Sequence, residues 1–128
     1  MNMIRGIKID NLIKAQSQFE EYRSNISKPQ KRAGAIQAFE YTYEMCWKMI
    51  KKLLEVEGVK EVYTPKDCFR KVAKFGLITD PKIWFEYLEI RDLTVHTYNE
   101  DVAHQVSNIF GSFSVSVKKL LGNFEKLK

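Results

Sequence analysis

The sequence is 128 residues long, 45% apolar and 12% aromatic, with a formal net charge of +5. These values suit one globular domain, residues 1–128, able to bury a core without disulfide staples, and they exclude an intrinsically disordered chain. No apolar run approaches the ~20 residues of a membrane helix, and Met1-Asn2-Met3-Ile4-Arg5 lacks the apolar stretch of a secretion signal, so the expected location is the cytoplasm with no membrane partner.

The mild basicity permits an anionic partner such as RNA or a nucleotide without requiring one. Cys46 and Cys68 lie far apart, with no second cysteine or histidine at metal spacing. They read as buried thiols of a reducing compartment.

In chain order, the first predicted helix runs from about Asn11 to about Asn25. Ile9, Leu12, Ile13, Phe19, Tyr22 and Ile26 give its apolar stripe, and Asp10 is the expected N-cap. Ser27-Lys28-Pro29 then breaks the chain. A second helix carries Ile36, Phe39, Tyr43, Cys46, Trp47, Ile50, Leu53 and Leu54 at three- and four-residue steps, and Gly58 ends it. Glu44 and Lys48 are expected to pair on its solvent side.

Thr64-Pro65-Lys66-Asp67 starts a third helix with a capping residue, a first-turn proline and an acid. Its expected buried edge is Cys68, Val72 and Phe75, closed by Gly76. Asp80-Pro81 repeats the start signal for a fourth helix with Trp84, Tyr87, Leu88 and Arg91 on one face. A single long helix is expected from near Asn99, with Val102, Val106, Ile109, Phe110, Phe113, Val117, Leu120, Leu121 and Phe124 as its stripe. Ser112 to Val117 alternates like a strand, but the longer helical period overrides it. Trp47, Trp84 and the phenylalanines read as core, and no convincing strand is visible. Short connections favour antiparallel neighbours, so the predicted fold is all-α: an antiparallel four-helix-type bundle with an additional short helix.

The segment from Glu89 to Tyr98 carries the candidate chemistry. Arg91 and His96 are separated by four residues. On an unbroken helix, five steps of about 100° place them about 140° apart. They converge only if the helix ends between them, and the β-branched Thr94 and Val95 make a break there. Arg91 offers a fixed-charge fork suited to phosphate, His96 exchanges a proton near neutral pH, and Tyr98 adds a hydroxyl and a stacking face. Such a set could cut RNA without metal. A base takes the proton of a ribose 2′-OH, the alkoxide attacks phosphorus, and an acid protonates the leaving 5′-oxygen, while arginine stabilises the phosphoryl charge. One arginine and one histidine at this spacing occur often by chance, and a helix-end arginine is usually a cap or part of an ion pair. His104 reads as exposed. Lys66, Arg70, Lys71 and Lys74 read as a solvated helix face or as a patch that tracks phosphates. No metal site or organic cofactor is indicated.

Three blocks resemble a known family. They are Phe39-Glu40-Tyr41-Thr42-Tyr43-Glu44-Met45-Cys46-Trp47-Lys48; Thr64-Pro65-Lys66-Asp67-Cys68-Phe69-Arg70 with Gly76-Leu77-Ile78; and Arg91-Asp92-Leu93-Thr94-Val95-His96-Thr97-Tyr98-Asn99-Glu100. In that order they resemble the nucleotidyltransferase substrate-binding protein family of the HEPN superfamily. The resemblance covers about Gln30 to Ala103. It implies an antiparallel helical bundle, a homodimer, and a minimal nucleotidyltransferase as partner. It further implies either a ribonuclease toxin, with Arg91 and His96 catalytic and Tyr98 the tyrosine that the antitoxin modifies, or a non-catalytic subunit that presents substrate. Asp92 stands where many relatives have asparagine. It fills the same polar slot, and its charge could hold the Arg91 guanidinium away from phosphate.

Overall fold

The computed structural model describes residues 3–128. Strands β1 (Met3–Ile4) and β2 (Ile7–Lys8) precede α1 (Asp10–Arg23), α2 (Pro29–Val56), α3 (Pro65–Ala73) and α4 (Pro81–Leu93). A 3₁₀ turn (Thr94–His96), α5 (Glu100–Ser107) and α6 (Phe110–Glu125) follow.

The small hairpin was not legible as strand, because two residues on each side establish no alternation. Arg5 and Gly6 both take positive φ, 53° and 80°. That is the backbone of a tight two-residue hairpin turn. It pairs Ile4 with Ile7 and buries both against the helices.

The expected helix starts are observed with one correction. Asp10 is not the cap of α1 but its first residue. Ile9 holds the cap position with no side-chain bond, and Asp10 instead places charge in the first turn, where the helix dipole favours it. Pro29 stands at the first turn of α2, where its missing N–H costs nothing. Gly58, at φ 78°, ends α2: its own N–H reaches Glu55 O at 3.0 Å and the Val59 N–H reaches Leu54 O at 2.8 Å. This pair of bonds satisfies carbonyls that the helix itself leaves open. In α3, Thr64 Oγ1 accepts from the Asp67 N–H at 3.1 Å, and Asp67 Oδ2 accepts from the Thr64 N–H at 3.1 Å. Asp80 accepts from the Lys82 N–H at 2.9 Å at the start of α4.

Two further expectations are corrected. Phe75 is 52% exposed, and Phe69 takes its place in the core. α3 ends at Ala73, so the helical period no longer governs Phe75, while Phe69 stacks on Trp84 at 4.8 Å. The long final helix is two helices. Its ladder tightens at Ile109, whose N–H reaches only back to Val106 O at 3.3 Å, and restarts with Phe113 N–H to Ile109 O at 2.8 Å. Asn108 lies in this break.

Helices α1, α2, α4 and α6 form the four-helix-type bundle, with α3 and α5 as short additions. Aromatic side chains of all four meet inside. Phe113 of α6 lies 5.4 Å from Phe19, 4.7 Å from Phe39 and 5.1 Å from Tyr87, each edge to face. Tyr87 buries its ring in this centre and carries its hydroxyl to the edge of α6, where it bonds to the exposed Ser112 and the half-buried Ser116, both at 2.7 Å. Trp47 packs against the core at its edge. It is half-buried, and its indole N–H donates to Glu44 at 3.1 Å. Among the described residues, no helix is long and apolar enough to cross a membrane.

Candidate functional site

α4 stops where its sequence becomes Leu93-Thr94-Val95. Thr94 Oγ1 donates to Arg91 O at 2.7 Å and Thr97 Oγ1 to Thr94 O at 3.0 Å. These local side-chain bonds compete with continuation of the helical ladder. The chain tightens into the 3₁₀ turn, the Asn99 N–H closes on His96 O at 3.0 Å, and Asn99 then caps α5 by accepting from the Asp101 N–H at 2.9 Å. The helix therefore ends between Arg91 and His96, as the β-branched pair predicted.

Arg91 occupies the last turn of α4, rooted below by the buried Trp84 and Tyr87. Thr94, 8% exposed, anchors the bend. His96 and Tyr98 project outward from it. Tyr98 is 85% exposed, and the two rings stand 6.1 Å apart, edge to face. Tyr43 is the opposite case. Burial pushes its phenol well above the usual range, with the Arg91 charge partly offsetting, and its hydroxyl faces Trp84 O inside the bundle.

The Arg91 guanidinium has two carboxylate partners. Nη1 donates to Asp92 Oδ1 at 3.1 Å, and Nη2 donates to Glu44 Oε1 of α2. The Glu44 contact was missed by sequence reasoning, which assigned Glu44 to Lys48. That pair exists, at 3.9 Å, but on the second oxygen, which also accepts the Trp47 indole N–H. Glu44 lies inside the second-helix block Phe39 to Lys48, but its partner is 47 positions away and no local spacing reveals it.

The basic residues of α3 differ in their contacts. Lys71 Nζ donates to the carbonyls of Lys60 and Glu61 at 2.7 and 2.8 Å, which commits it to the preceding loop. Lys66 and Arg70 lie over the Phe85 ring at 5.6 and 5.1 Å, on the first half of α4, and Lys74 is exposed at the end of α3. His104 is exposed as expected, 3.9 Å from Glu100, which is itself held by Arg32 at 2.6 and 3.1 Å. Burial pushes the Cys68 thiol up to about 11 and that of Cys46 higher still, so neither is a ready nucleophile. Among the described residues, no three His, Cys, Asp or Glu side chains gather in a metal-ligating group. A cavity of about 610 Å³ lies away from the bend, between the start of α4 and α6, lined by residues including Leu77, Ile83, Lys119 and Asn123.

Comparison with known proteins gives this geometry a family. The model described as "Nucleotidyltransferase substrate binding protein like" matches residues 7–126. A Haemophilus influenzae protein named "Probable ribonuclease HepT" is 37% identical over 93 residues, spanning 70% of this chain but only 64% of that protein. The crystal structure of a Thermus thermophilus protein superposes with a TM-score of 0.81 at 32% identity, covering 88% of this chain and 98% of that one. A Haemophilus influenzae structure, described as revealing the fold of a substrate binding domain of a nucleotidyltransferase, gives 0.82 at 29% identity, with coverage of 92% and 99%. With its all-helical bundle and a family match over nearly its whole length, the chain belongs to the nucleotidyltransferase substrate-binding family.

Proposed function

We propose that this chain is the HEPN-type partner of a minimal nucleotidyltransferase and acts as a metal-independent endoribonuclease toxin, silenced when its partner adds a nucleotide to Tyr98. The observation that carries this reading is the bend after α4. Arg91 lies on the last turn of α4, and His96 and Tyr98 follow on the bend with both side chains exposed. The family match and the name of the 37% identical relative support the same reading.

In this mechanism His96 moves the proton of the 2′-OH, the alkoxide attacks the adjacent phosphorus, and Arg91 stabilises the charge gathering on the phosphoryl oxygens. The leaving 5′-oxygen needs an acid, and each chain brings one histidine at the bend. A homodimer with its twofold axis near that bend supplies the second. Lys66, Arg70, Lys71 and Lys74 of α3 are the side chains assigned to the RNA backbone, with Lys71 also bonded to the preceding loop.

The alternative is a non-catalytic subunit that binds nucleotide for the nucleotidyltransferase. One observation favours it: both Nη atoms of Arg91 already face carboxylates. Incubation of purified protein with RNA in EDTA distinguishes the two. Cleavage that disappears in His96→Ala, with helical circular dichroism unchanged, is the expected result. Absence of cleavage by the wild type, or equal cleavage by the variant, rejects the ribonuclease reading.

A further inference from the structure

We propose that Glu44 is a positioning residue that gates Arg91, so that RNA binds only by drawing the guanidinium away from α2. This rests on the reading of Arg91 as a phosphate ligand.

The two halves of the contact differ in mobility. Glu44 sits near the middle of the 28-residue α2, between the buried Tyr43 and Cys46. One of its oxygens is held by the Trp47 indole N–H at 3.1 Å, with Lys48 Nζ at 3.9 Å, and the side chain is 28% exposed. Arg91 reaches Glu44 from the last turn of α4 with a long side chain that has many rotamers. Glu44 is thus the fixed half and Arg91 the mobile half.

Charge gives the contact its consequence. Arg91 carries +1, while Glu44 and Asp92 carry −1 each, so the triad of the two ion pairs sums to −1. Lys48, at 3.9 Å from Glu44, brings the group only to zero. A phosphate approaching the bend therefore meets a guanidinium whose charge is already answered. Asp92 is 63% exposed and neighbours Arg91 in sequence, so it can turn aside into water. Glu44, tied to Trp47, cannot follow. To present its fork to a phosphate, Arg91 must exchange the Glu44 carboxylate for it. Glu44 sets how readily that exchange occurs and where the guanidinium rests before it.

The test is fluorescence anisotropy with a 2′-O-methylated RNA oligonucleotide, which has no 2′-OH to attack and therefore reports binding alone. Glu44→Gln keeps an oxygen for the Trp47 N–H but removes the competing charge. It is expected to bind about fivefold tighter than wild type, the factor that the loss of one partly exposed ion pair supplies. Glu44→Asp, which withdraws the carboxylate by one methylene, is expected to shift binding in the same direction and serves if the first variant folds poorly. In an Arg91→Ala background, Glu44→Gln is expected to give no gain, because the effect runs through the guanidinium. Glu89→Gln, which removes a nearby exposed charge, is expected to leave affinity nearly unchanged.

Unchanged or weaker binding by Glu44→Gln overturns the gate. So does a gain that persists without Arg91, since that would be general repulsion. If Arg91→Ala binds the RNA as well as wild type, the phosphate-ligand reading itself fails, and the gate with it. A clear loss in Arg91→Ala combined with no effect of Glu44→Gln removes the gate alone.

Discussion

Replacing Arg91 by alanine separates a chemical role from a structural one. The guanidinium is 33% exposed and its Glu44 partner 28%, so theirs is a pair of partly hydrated charges. Such a pair is worth up to about 1 kcal/mol. Deleting the arginine does not strand Glu44, because the Trp47 indole still donates to it and Lys48 lies 3.9 Å away. Asp92, 63% exposed, returns to water. The expected loss is therefore about 1 kcal/mol, which in a chain of this size lowers Tm by about 3–5 °C. On the proposed mechanism, the loss of a group that stabilises transition-state charge costs about 100- to 1,000-fold in kcat. Calorimetry and RNA cleavage on the same preparation read the two effects separately. A Tm drop beyond about 10 °C would show that the Arg91–Glu44 pair holds α4 to α2 and that Arg91 is structural. An intact fold with undiminished cleavage would refute its place in the chemistry.

Tyr98→Phe is expected to escape silencing by a co-expressed nucleotidyltransferase while retaining cleavage. Mass spectrometry that finds no added nucleotide on wild-type Tyr98, with the partner active and ATP present, rejects that control. Light scattering at micromolar concentration is expected to report a dimer, and a stable monomer would remove the second histidine on which the acid step depends. Burial opposes ionisation of Glu20, but the Ser114 hydroxyl and the charges of Arg23 and Lys118 outweigh it and hold the carboxyl below its ordinary 4.5. The stability Glu20 contributes is thus present above pH 4.5 and lost as pH falls through the lower folded value. Ser114→Ala is expected to move the acid-unfolding midpoint, followed by circular dichroism, to higher pH; an unchanged midpoint would show that Ser114 is not what sustains the charge.

What the sequence made legible is what local chemistry determines. Thr64, Asp80 and Asn99 announce helix starts because a short oxygen-bearing side chain meets an N–H two or three residues on, and each does so. The break between Arg91 and His96 is equally local, made by Thr94 and Thr97 bonding back to the chain. The division of α5 from α6 was hidden because apolar residues recur at helical spacing straight across it, from Val106 through Ile109 to Phe113. Periodicity records which side faces the core. It does not record a ladder that tightens for one turn. Asp92 beside Arg91 was legible from adjacency, whereas Glu44 was not, because only the packing of α2 against α4 brings it there.

The same distinction explains how rigid and exposed chemistry can share so small a site. Arg91 needs a fixed origin, and α4 supplies one: Trp84 and Tyr87 are buried two turns and one turn before it, and Tyr87 is bonded to Ser112 and Ser116 of α6. A residue that another enzyme is to modify needs the reverse. Tyr43, at 0% exposure and with its phenol driven up by burial, is closed to any second active site, whereas Tyr98 stands 85% exposed on a turn closed by Asn99. A nucleotide on Tyr98 would bring phosphate charge to the His96 side of the bend, where Arg91 is the cation within the same motif. Pairing there would offer the guanidinium a covalently tethered rival to RNA, at an effective concentration no free substrate matches. Silencing on this reading is the exchange of one anion for another at Arg91.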